Sequence, residues 1–340
     1  MDGLHEIEIW VNLFLQSLGL WLVTPMQALS MLGQEEFYLL LMPTLYWCFD
    51  SAMGVRVALM LLLSNAVSGA AKIAFHTPRP YWLGAGVQGL AAETSFGLPS
   101  SHASNGVAVW GMLATGVKSR AARGVLVALI VLIGLSRVYL GMHFVSDVLV
   151  GWLLGGALLW GYLKVEAPLL KWIQTLSLGH KILAALLSAL ALAGLILLSA
   201  AASARWEMPT TWARNALAAV PDNVIDPFNV DLAFTVAGTW FGMLAGVAWW
   251  HHQHGAFWNA SGAPLQRVLR YAVGAVGVLA LWYLLGKVFP READVLSFSL
   301  RFLRYTLIGL WVSAAAPLLF QRLGLAPTPQ HPAQDASAVI

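Results

Sequence analysis

Three short polar motifs decide how this chain folds: residues 72–80 (KIAFHTPRP), 99–102 (PSSH) and 136–147 (SRVYLGMHFVSD), here called motifs 1, 2 and 3. Nearly every polar side chain able to do chemistry in this apolar protein lies in them. The reactive members are Lys72, Arg79, His102, Arg137, His143 and Asp147. Cations, imidazoles and a carboxylate are the groups needed to bind a phosphate dianion and to attack it.

The composition around the motifs is that of a membrane protein. Of the 340 residues, 59% are hydrophobic and only 10% are charged, whereas a soluble domain has about 25% charged residues. The single cysteine, Cys48, excludes an internal disulfide and a cysteine-based metal cluster. The net charge of +3 is small and no basic block alternates with aromatic residues, so nucleic acid is not an expected partner.

Apolar stretches of helical length alternate with short polar connections after residue 35. About nine of them approach the ~20 residues that a helix needs to cross a bilayer. They lie at about 36–50, 54–75, 103–118, 123–140, 144–164, 180–203, 230–250, 267–286 and 299–320. The sequence therefore predicts an all-α fold, a polytopic membrane bundle of about nine transmembrane helices.

The chain divides into four predicted regions. Residues 1–35 contain acidic residues but no Lys or Arg, and Asn12, Gln16 and Gln27 interrupt their apolar residues. This pattern favours an amphipathic N-terminal segment at the membrane interface over a signal peptide. Residues 36–170 form the predicted catalytic membrane core, and residues 171–323 form additional C-terminal transmembrane helices. Residues 324–340 are predicted to be a disordered tail.

Alternate connections between the predicted spans carry most of the basic residues, which indicates that these connections are cytoplasmic. The residues are Arg56, Lys118, Arg120, Arg123, Lys164, Lys171, Lys181, Arg267, Arg270 and Arg322. The three motifs fall on the opposite side. We therefore expect an integral protein of the plasma (inner) membrane with an extracytoplasmic active site. The cations of the motifs run against the charge rule, which suggests that they bind a ligand.

Motif 1 places two cations at the end of an apolar helix. Lys72 closes the helix, and the prolines on either side of Arg79 stop it and predict an extended loop. A guanidinium offers paired N–H donors to two phosphate oxygens, and an ammonium adds a compact charge. Taken alone, the pair is equally compatible with ordinary positive residues flanking a membrane span.

Motif 2 precedes an apolar helix that begins near residue 103. Ser100 or Ser101 can cap this helix, and its free backbone amides form a favourable site for a phosphate oxygen. His102, in the first turn, is placed to donate a proton to a leaving oxygen. An isolated histidine at such a position is more often only a polar residue at a helix start.

Motif 3 holds His143 and Asp147 four residues apart, on one face of a helix. The carboxylate can accept the proton of one imidazole nitrogen and leave the other nitrogen free, as a nucleophile requires. Arg137 adds a third cation. By itself, this spacing also fits a simple pair that stabilises a helix.

The motifs become specific when they are read in order. The combined pattern is Lys, six residues and Arg-Pro; then Pro-Ser-x-His; then Ser-Arg, five residues, His, three residues and Asp. This pattern closely resembles that of the type 2 phosphatidic acid phosphatase superfamily, which includes vanadium haloperoxidases and glucose-6-phosphatase. The resemblance covers about residues 40–165. One position departs from it, because Ser101 stands where the family usually has Gly.

The resemblance implies a role for each matching residue. His143 is the implied nucleophile, which forms a phosphohistidine and is oriented by Asp147. His102 protonates the leaving alkoxide and later activates water. The implied phosphate-binding residues are Lys72, Arg79, Ser100, Ser101 and Arg137. The resemblance implies no metal and no cofactor.

The leading functional hypothesis is hydrolysis of lipid-linked phosphate monoesters or diphosphates, with the lipid phosphate and bilayer lipids as partners. A sugar phosphatase similar to glucose-6-phosphatase, or a phosphotransferase using the same site, remains as an alternative. A membrane transporter or an inactive scaffold is the alternative from a different class. Transporters usually carry ionisable groups near mid-membrane, whereas here the charges collect at the ends of spans.

Overall fold

The computed structural model describes residues 3–84, 86–221 and 223–326, and these residues form helices and loops without a β-strand. Seven helices are long and apolar enough to cross a membrane. They are α4 (Ser51–Phe75), α6 (Arg120–Tyr139), α7 (Val145–Gln174), α8 (Leu178–Ala202), α10 (Asp231–His254), α11 (Pro264–Val288) and α12 (Val295–Arg322). The predicted all-α membrane bundle is confirmed.

Shorter helices complete the described part of the fold. They are α1 (Gly3–Ser17), α2 (Val23–Met31), α3 (Glu35–Cys48), α5 (residues 101–116, with a π-helical turn at Val107–Gly111) and α9 (Thr210–Ala219). All nine predicted spans are helical, but α3 and α5 are shorter than a bilayer requires. The predicted count of about nine crossings is therefore approximate. Of the predicted tail, residues 327–340 lie outside the described residues.

The N-terminal helices form a bent pair. The α1 helix meets the helical stretch Leu20–Met31 at 89°, a geometry shared by broken spans and re-entrant loops. Together with the seven long helices, this pair makes up to eight crossings. The predicted interfacial position of residues 1–35 stays a prediction.

The sequence of motif 1 explains how α4 ends. The backbone N–H of His76 bonds to Lys72 O, and His76 adopts a left-handed conformation with φ of 53°. Two prolines follow within four residues, so the helix cannot continue. Lys72 therefore lies in the last turn of α4, and Arg79 lies in the loop that the prediction required.

Close packing of α7 against α5 brings motifs 2 and 3 together. A Cβ added at Gly151 would lie 2.6 Å from the carbonyl oxygen of Ser100, and one at Gly155 would lie 2.6 Å from that of Ser104. Only glycine permits so close a helix contact at these positions. As a result, the amino-terminal end of α7, with Asp147, lies beside the start of α5.

The C-terminal helices share an apolar core with α4. In this cluster, Ala66 and Ala70 of α4 pack with Ala189 and Ala193 of α8 and with Val236 of α10. Helices α10 and α12 approach each other closely, since a Cβ added at Gly242 would lie 2.1 Å from Thr306 O. The C-terminal helices thus pack directly on the helix that carries Lys72.

Candidate active site

The ends of four helices bring the three motifs into one place. Lys72 ends α4, His102 begins α5, Arg137 ends α6, and Asp147 begins α7, with His143 in the short connection before it. The side chains of Lys72, Arg79, Ser100, Arg137, His143 and Asp147 are buried. Ser101 and His102 are partly exposed. All eight residues predicted for the site therefore converge, from segments far apart in sequence.

A cavity of about 400 Å³ opens among these residues. Four of the predicted residues line it: Lys72, Ser101, His102 and His143. The other four, Arg79, Ser100, Arg137 and Asp147, do not line it and lie behind its surface. The cavity thus has an imidazole from motif 2 and an imidazole from motif 3 in its wall, together with one ammonium.

His143 is held from both sides of its ring. Its Nδ1 lies 3.1 Å from Asp147 Oδ2, and its Nε2 lies 3.2 Å from an Arg79 guanidinium nitrogen. The arginine can only donate, so Nε2 accepts and the proton belongs on Nδ1, facing the carboxylate. Burial, followed by the positive charges of Arg79 and Lys72, lowers the pKa of His143 well below 6.5. The imidazole is therefore neutral near pH 7, as a nucleophile must be.

The carboxylate of Asp147 is itself fixed by the backbone. Its Oδ2 accepts a hydrogen bond from the Phe144 backbone N–H at 3.0 Å, in addition to the contact with His143. The Asp147 carbonyl oxygen accepts from the Ser100 N–H at 2.9 Å. The carboxylate and the backbone carbonyl of Asp147 are therefore both held by hydrogen bonds. These bonds fix the orientation of the His143 imidazole.

Arg79 is fully buried, and backbone carbonyls hold it in place. It donates to Ser95 O at 2.7 Å, to Met142 O at 2.8 Å and to Phe96 O at 3.1 Å. Lys72 binds the same loop, donating to Phe96 O at 2.7 Å. The loop before motif 2 therefore positions both cations of motif 1.

Glu93 is the site residue that sequence analysis missed. Its carboxylate accepts a hydrogen bond from Arg137 at 2.5 Å, lies 3.5 Å from Arg79 and lies 3.9 Å from the ring of His102. Glu93 lines the cavity, whereas the two arginines do not. The Glu93 carboxylate thus separates both guanidinium groups from the cavity. A phosphoryl group that binds these cations would need the same position.

Electrostatics keep Glu93 ionised. Burial raises the pKa of its carboxyl group, but the positive charges of Arg79 and Arg137, with smaller contributions from His102 and Lys72, outweigh burial and lower the pKa to about 2. One signal in the sequence pointed to this residue, because Glu93 is the only carboxylate between motifs 1 and 2. The residues that contact Glu93 lie in three different segments, and residue spacing alone does not reveal these contacts.

Motif 2 differs from expectation in one detail. Ser100 occupies the N-cap position of α5, as predicted, but its side chain makes no capping hydrogen bond. Its Oγ is buried and has no hydrogen-bond partner among the described residues. The same is true of His102 Nε2. Of the two residues, His102 lines the cavity, so its Nε2 is the group available to a ligand.

Helices α1 and α2 also support the site, which the sequence did not predict. Asn12 donates to Val138 O at 2.7 Å and to His143 O at 3.2 Å. Ser30 accepts a hydrogen bond from Arg137 at 2.7 Å. Glu8 accepts from the Ser146 N–H at 2.6 Å, at the start of α7. The N-terminal segment thus binds the backbone on both sides of the His143 connection.

Comparison with known families matches most of this architecture. Residues 54–170, which contain all three motifs, match the model of the PAP2 superfamily. Residues 234–328 match the model described as PAP2 superfamily phosphatase, transmembrane extension. The chain belongs to the PAP2 superfamily. This is the type 2 phosphatidic acid phosphatase superfamily that the motifs resemble, and the resemblance is confirmed. The PAP2 match and the long apolar helices make the chain an integral membrane protein.

Two curated relatives illustrate the similarity. Sphingosine-1-phosphate phosphatase 2 of Mus musculus is 30% identical over 134 residues, which is 38% of this chain and 38% of the relative. Sphingosine-1-phosphate phosphatase 1 of Rattus norvegicus is 28% identical over 128 residues, 36% of this chain and 30% of the relative. The chain therefore matches about a third of the length of these relatives.

A solved PAP2 structure is also similar. It is the crystal structure of a transmembrane PAP2 type phosphatidylglycerolphosphate phosphatase from Bacillus subtilis, with a TM-score of 0.43 and 24% sequence identity. The similarity covers 49% of this chain and 87% of the other.

Proposed function

We propose that this PAP2 protein hydrolyses lipid-linked phosphate monoesters or diphosphates at the extracytoplasmic face, through a phosphohistidine on His143. One observation carries the proposal. His143 lines the cavity with its Nδ1 against Asp147 and its Nε2 among the cations. A neutral imidazole oriented by a carboxylate is the arrangement that makes a histidine nucleophilic.

In the first step, Arg79 turns its N–H from His143 Nε2 to a phosphoryl oxygen, and the freed lone pair of Nε2 attacks phosphorus. A P–N bond forms, the P–O bond to the lipid breaks, and the leaving oxygen takes a proton from His102. The Nδ1 proton stays with the imidazole and is stabilised by Asp147. Lys72, Arg79 and Arg137 stabilise the charge on the phosphoryl oxygens, as does the backbone amide of Ser101. The arginines can contact the phosphoryl oxygens only if the Glu93 carboxylate moves away from them.

In the second step, water releases the phosphate. His102, which has lost its proton, accepts one from the attacking water. A new P–O bond forms, the P–N bond breaks, and the electron pair returns to Nε2. Inorganic phosphate leaves, and each histidine regains its starting protonation state.

The surroundings of the cavity support a lipid substrate. The site lies at the ends of α4, α5, α6 and α7, and Ile73, Ile196 and Leu232 form part of the cavity wall. The curated relatives are sphingosine-1-phosphate phosphatases by name. A lipid keeps its chain among apolar groups while its phosphate reaches the cations, so membrane partitioning adds to binding.

A sugar phosphate is the second candidate, and the lining of the cavity favours it in one respect. A sugar needs polar groups around its hydroxyls, and Asn65, Thr94, Asn105 and Asn229 line the cavity. These amides can bind sugar hydroxyls, but they equally suit a lipid headgroup that carries hydroxyl or amino groups.

The test is release of inorganic phosphate by the purified protein in mixed micelles. We expect kcat/KM to be much higher for a lipid phosphate than for glucose 6-phosphate, and the reverse would favour the sugar phosphatase. Transfer of phosphate to an added alcohol in preference to water would favour a phosphotransferase. Lack of turnover of every phosphate tested would favour the transporter or scaffold.

His143→Ala tests the mechanism within the same assay. We expect it to abolish both turnover and trapping of a phosphoenzyme, because no neighbouring side chain replaces the nucleophile. His252→Ala is the matched control, since His252 is exposed and lies at the end of α10. Turnover by the His143→Ala protein would rule out the phosphohistidine.

A further inference from the structure

A second cavity lies next to the active-site cavity, between α3, α4, α10 and α12. It measures about 130 Å³. Apolar side chains form most of its wall, among them Leu39, Met42, Leu62, Val236, Met243 and Ile308. No charged residue of the described chain lines it. We call this cavity the apolar slot.

The slot continues the active-site cavity along α4. Asn65 and Leu232 line both cavities. On α4, Asn65 precedes Lys72 by seven residues, and Ala58, which lines the slot only, precedes it by fourteen. At 1.5 Å per residue, these positions lie about 10 Å and about 21 Å from Lys72 along the helix. The slot therefore leads from the end of α4 that carries Lys72 toward the middle of this helix.

The two parts of the chain that match PAP2 models build the slot together. Helix α4 lies in the PAP2 core, whereas α12 and nearly all of α10 lie in the transmembrane extension. Glycines close the wall between α10 and α12, since a Cβ at Gly309 would lie 2.6 Å from the backbone nitrogen of Met243. The extension thus supplies one side of a cavity that the core alone does not enclose.

We propose that the apolar slot binds the hydrocarbon chain of the substrate and that it selects lipid phosphates with a single chain. This inference rests on the proposed phosphatase function. A chain attached to a phosphate at Lys72 passes Asn65 and then meets only uncharged walls. Leu39 is 43% exposed at the edge of the slot, so a chain can enter sideways from the bilayer.

The size of the slot argues for one chain. Its volume is well below the ~300 Å³ of a small pocket for a drug-sized ligand. It therefore takes a segment of one chain and not the body of a two-chain lipid. Each methylene that leaves water for the slot adds about a fourfold gain in binding. A few methylenes in the slot are enough to distinguish long chains from short ones.

The test compares hexadecyl phosphate with butyl phosphate, a substrate too short to reach the slot. The measured quantity is the ratio of their kcat/KM values in nanodiscs. Ala58→Leu and Val236→Phe fill the slot from its two walls, and we expect each to lower this ratio by about tenfold or more. Val276→Phe is the matched control, because Val276 lies on α11 and is 67% exposed.

The outcomes separate the two proposals. A ratio unchanged in both slot variants would show that the chain stays in the bilayer, and it would overturn the slot. Lack of turnover of either phosphate by the wild-type protein would instead overturn the proposed function. Turnover of butyl phosphate by the variants shows that they fold.

A second measurement applies if the slot variants do not fold. A hexadecyl phosphate with a diazirine at the end of its chain is photolysed with the His143→Ala protein, and the labelled peptides are identified by mass spectrometry. Labelling of Val236, Met243 or Ile308 supports the slot. Labelling confined to the exposed face of α11 contradicts it.

Discussion

The carboxylate of Glu93 accepts a hydrogen bond from the guanidinium of Arg137 at 2.5 Å, across 44 positions of sequence. This contact gives the site an anion of its own. The arginines of motifs 1 and 3 face an internal carboxylate where the proposed mechanism requires a phosphoryl group. Binding of a substrate is therefore an exchange of one anion for another.

Replacement of Glu93 by Gln is expected to tighten the binding of vanadate. The incoming anion no longer has to displace a carboxylate from Arg79 and Arg137, and we expect an inhibition constant lower by about tenfold, which corresponds to ~1.4 kcal/mol. Inhibition of phosphate release by vanadate measures the effect. Glu207→Gln, at an exposed position, is the control. Weaker vanadate binding in Glu93→Gln would show that the carboxylate assists the anion.

The same residue predicts how stability depends on pH. Its pKa lies at about 2 in the folded protein, below its ordinary value of 4.5. Because the folded-state pKa is lowered, the contribution of the carboxylate to stability is fully present above pH 4.5 and is lost as the pH falls toward 2. We expect the Tm difference between wild type and Glu93→Gln to shrink in that window. Thermal unfolding in detergent tests this, and a difference that changes only near neutral pH would contradict it.

Asp147→Asn is expected to lower kcat on the order of 10³-fold while the protein remains folded. An amide can present its NH₂ group to His143 Nδ1, which favours the tautomer with the proton on Nε2 and blocks the nucleophile. Asp226→Asn is the matched control, because Asp226 lines the same cavity and binds Asn229 instead of His143. Equal losses in the two variants would mean that Asp147 has no special role.

Chelators are expected to leave phosphate release unchanged. Lys72, Arg79 and Arg137 supply the positive charge that stabilises the phosphoryl oxygens in the proposed mechanism. The assay is phosphate release before and after treatment with EDTA. Activity that is lost in EDTA and restored by Mg²⁺ would show that a metal ion takes part.

The orientation in the membrane is tested by labelling introduced cysteines from one side. Cys48 is buried and is the single cysteine of the sequence, so Cys48→Ala provides a background without cysteine. We expect Glu207→Cys, on the side of the motifs, to react with an impermeant reagent outside the cell. Arg120→Cys, at the start of α6, is expected to react only after the membrane is permeabilised. The opposite pattern would reverse the orientation.

The sequence predicted the features that depend on order and spacing. The two prolines beside Arg79 stop a helix wherever they occur. The pairing of His143 with Asp147 was also predicted, but its predicted basis, one shared helix face, is wrong: His143 lies in the connection before α7, and Asp147 reaches it from the first turn of that helix. The motifs meet because each lies at the end of an apolar helix, and helices that share one membrane share its two surfaces.

The features that sequence analysis missed depend on contacts between distant segments. Glu93 lies in a loop, and nothing local relates it to Arg137. Asn12 was read as an interruption in an amphipathic helix, whereas it binds the carbonyl oxygens of Val138 and His143. The apolar slot was also beyond prediction, because its walls come from α3 and α4 and from helices more than 150 residues later.

The bonds from Asn12 to Val138 O and His143 O have a practical consequence for handling this protein. Through Asn12, helix α1 holds the backbone at Val138 and His143 in place. Removal of residues 3–17 takes this donor from both carbonyl oxygens. Val138 O keeps the Gly141 backbone N–H, whereas a buried carbonyl left without a donor, as at His143, costs about 1 to 3 kcal/mol. Trimming or tagging the amino terminus usually leaves the activity of a protein unaffected. Here it removes a contact to the connection that carries His143, so an affinity tag belongs at the other end.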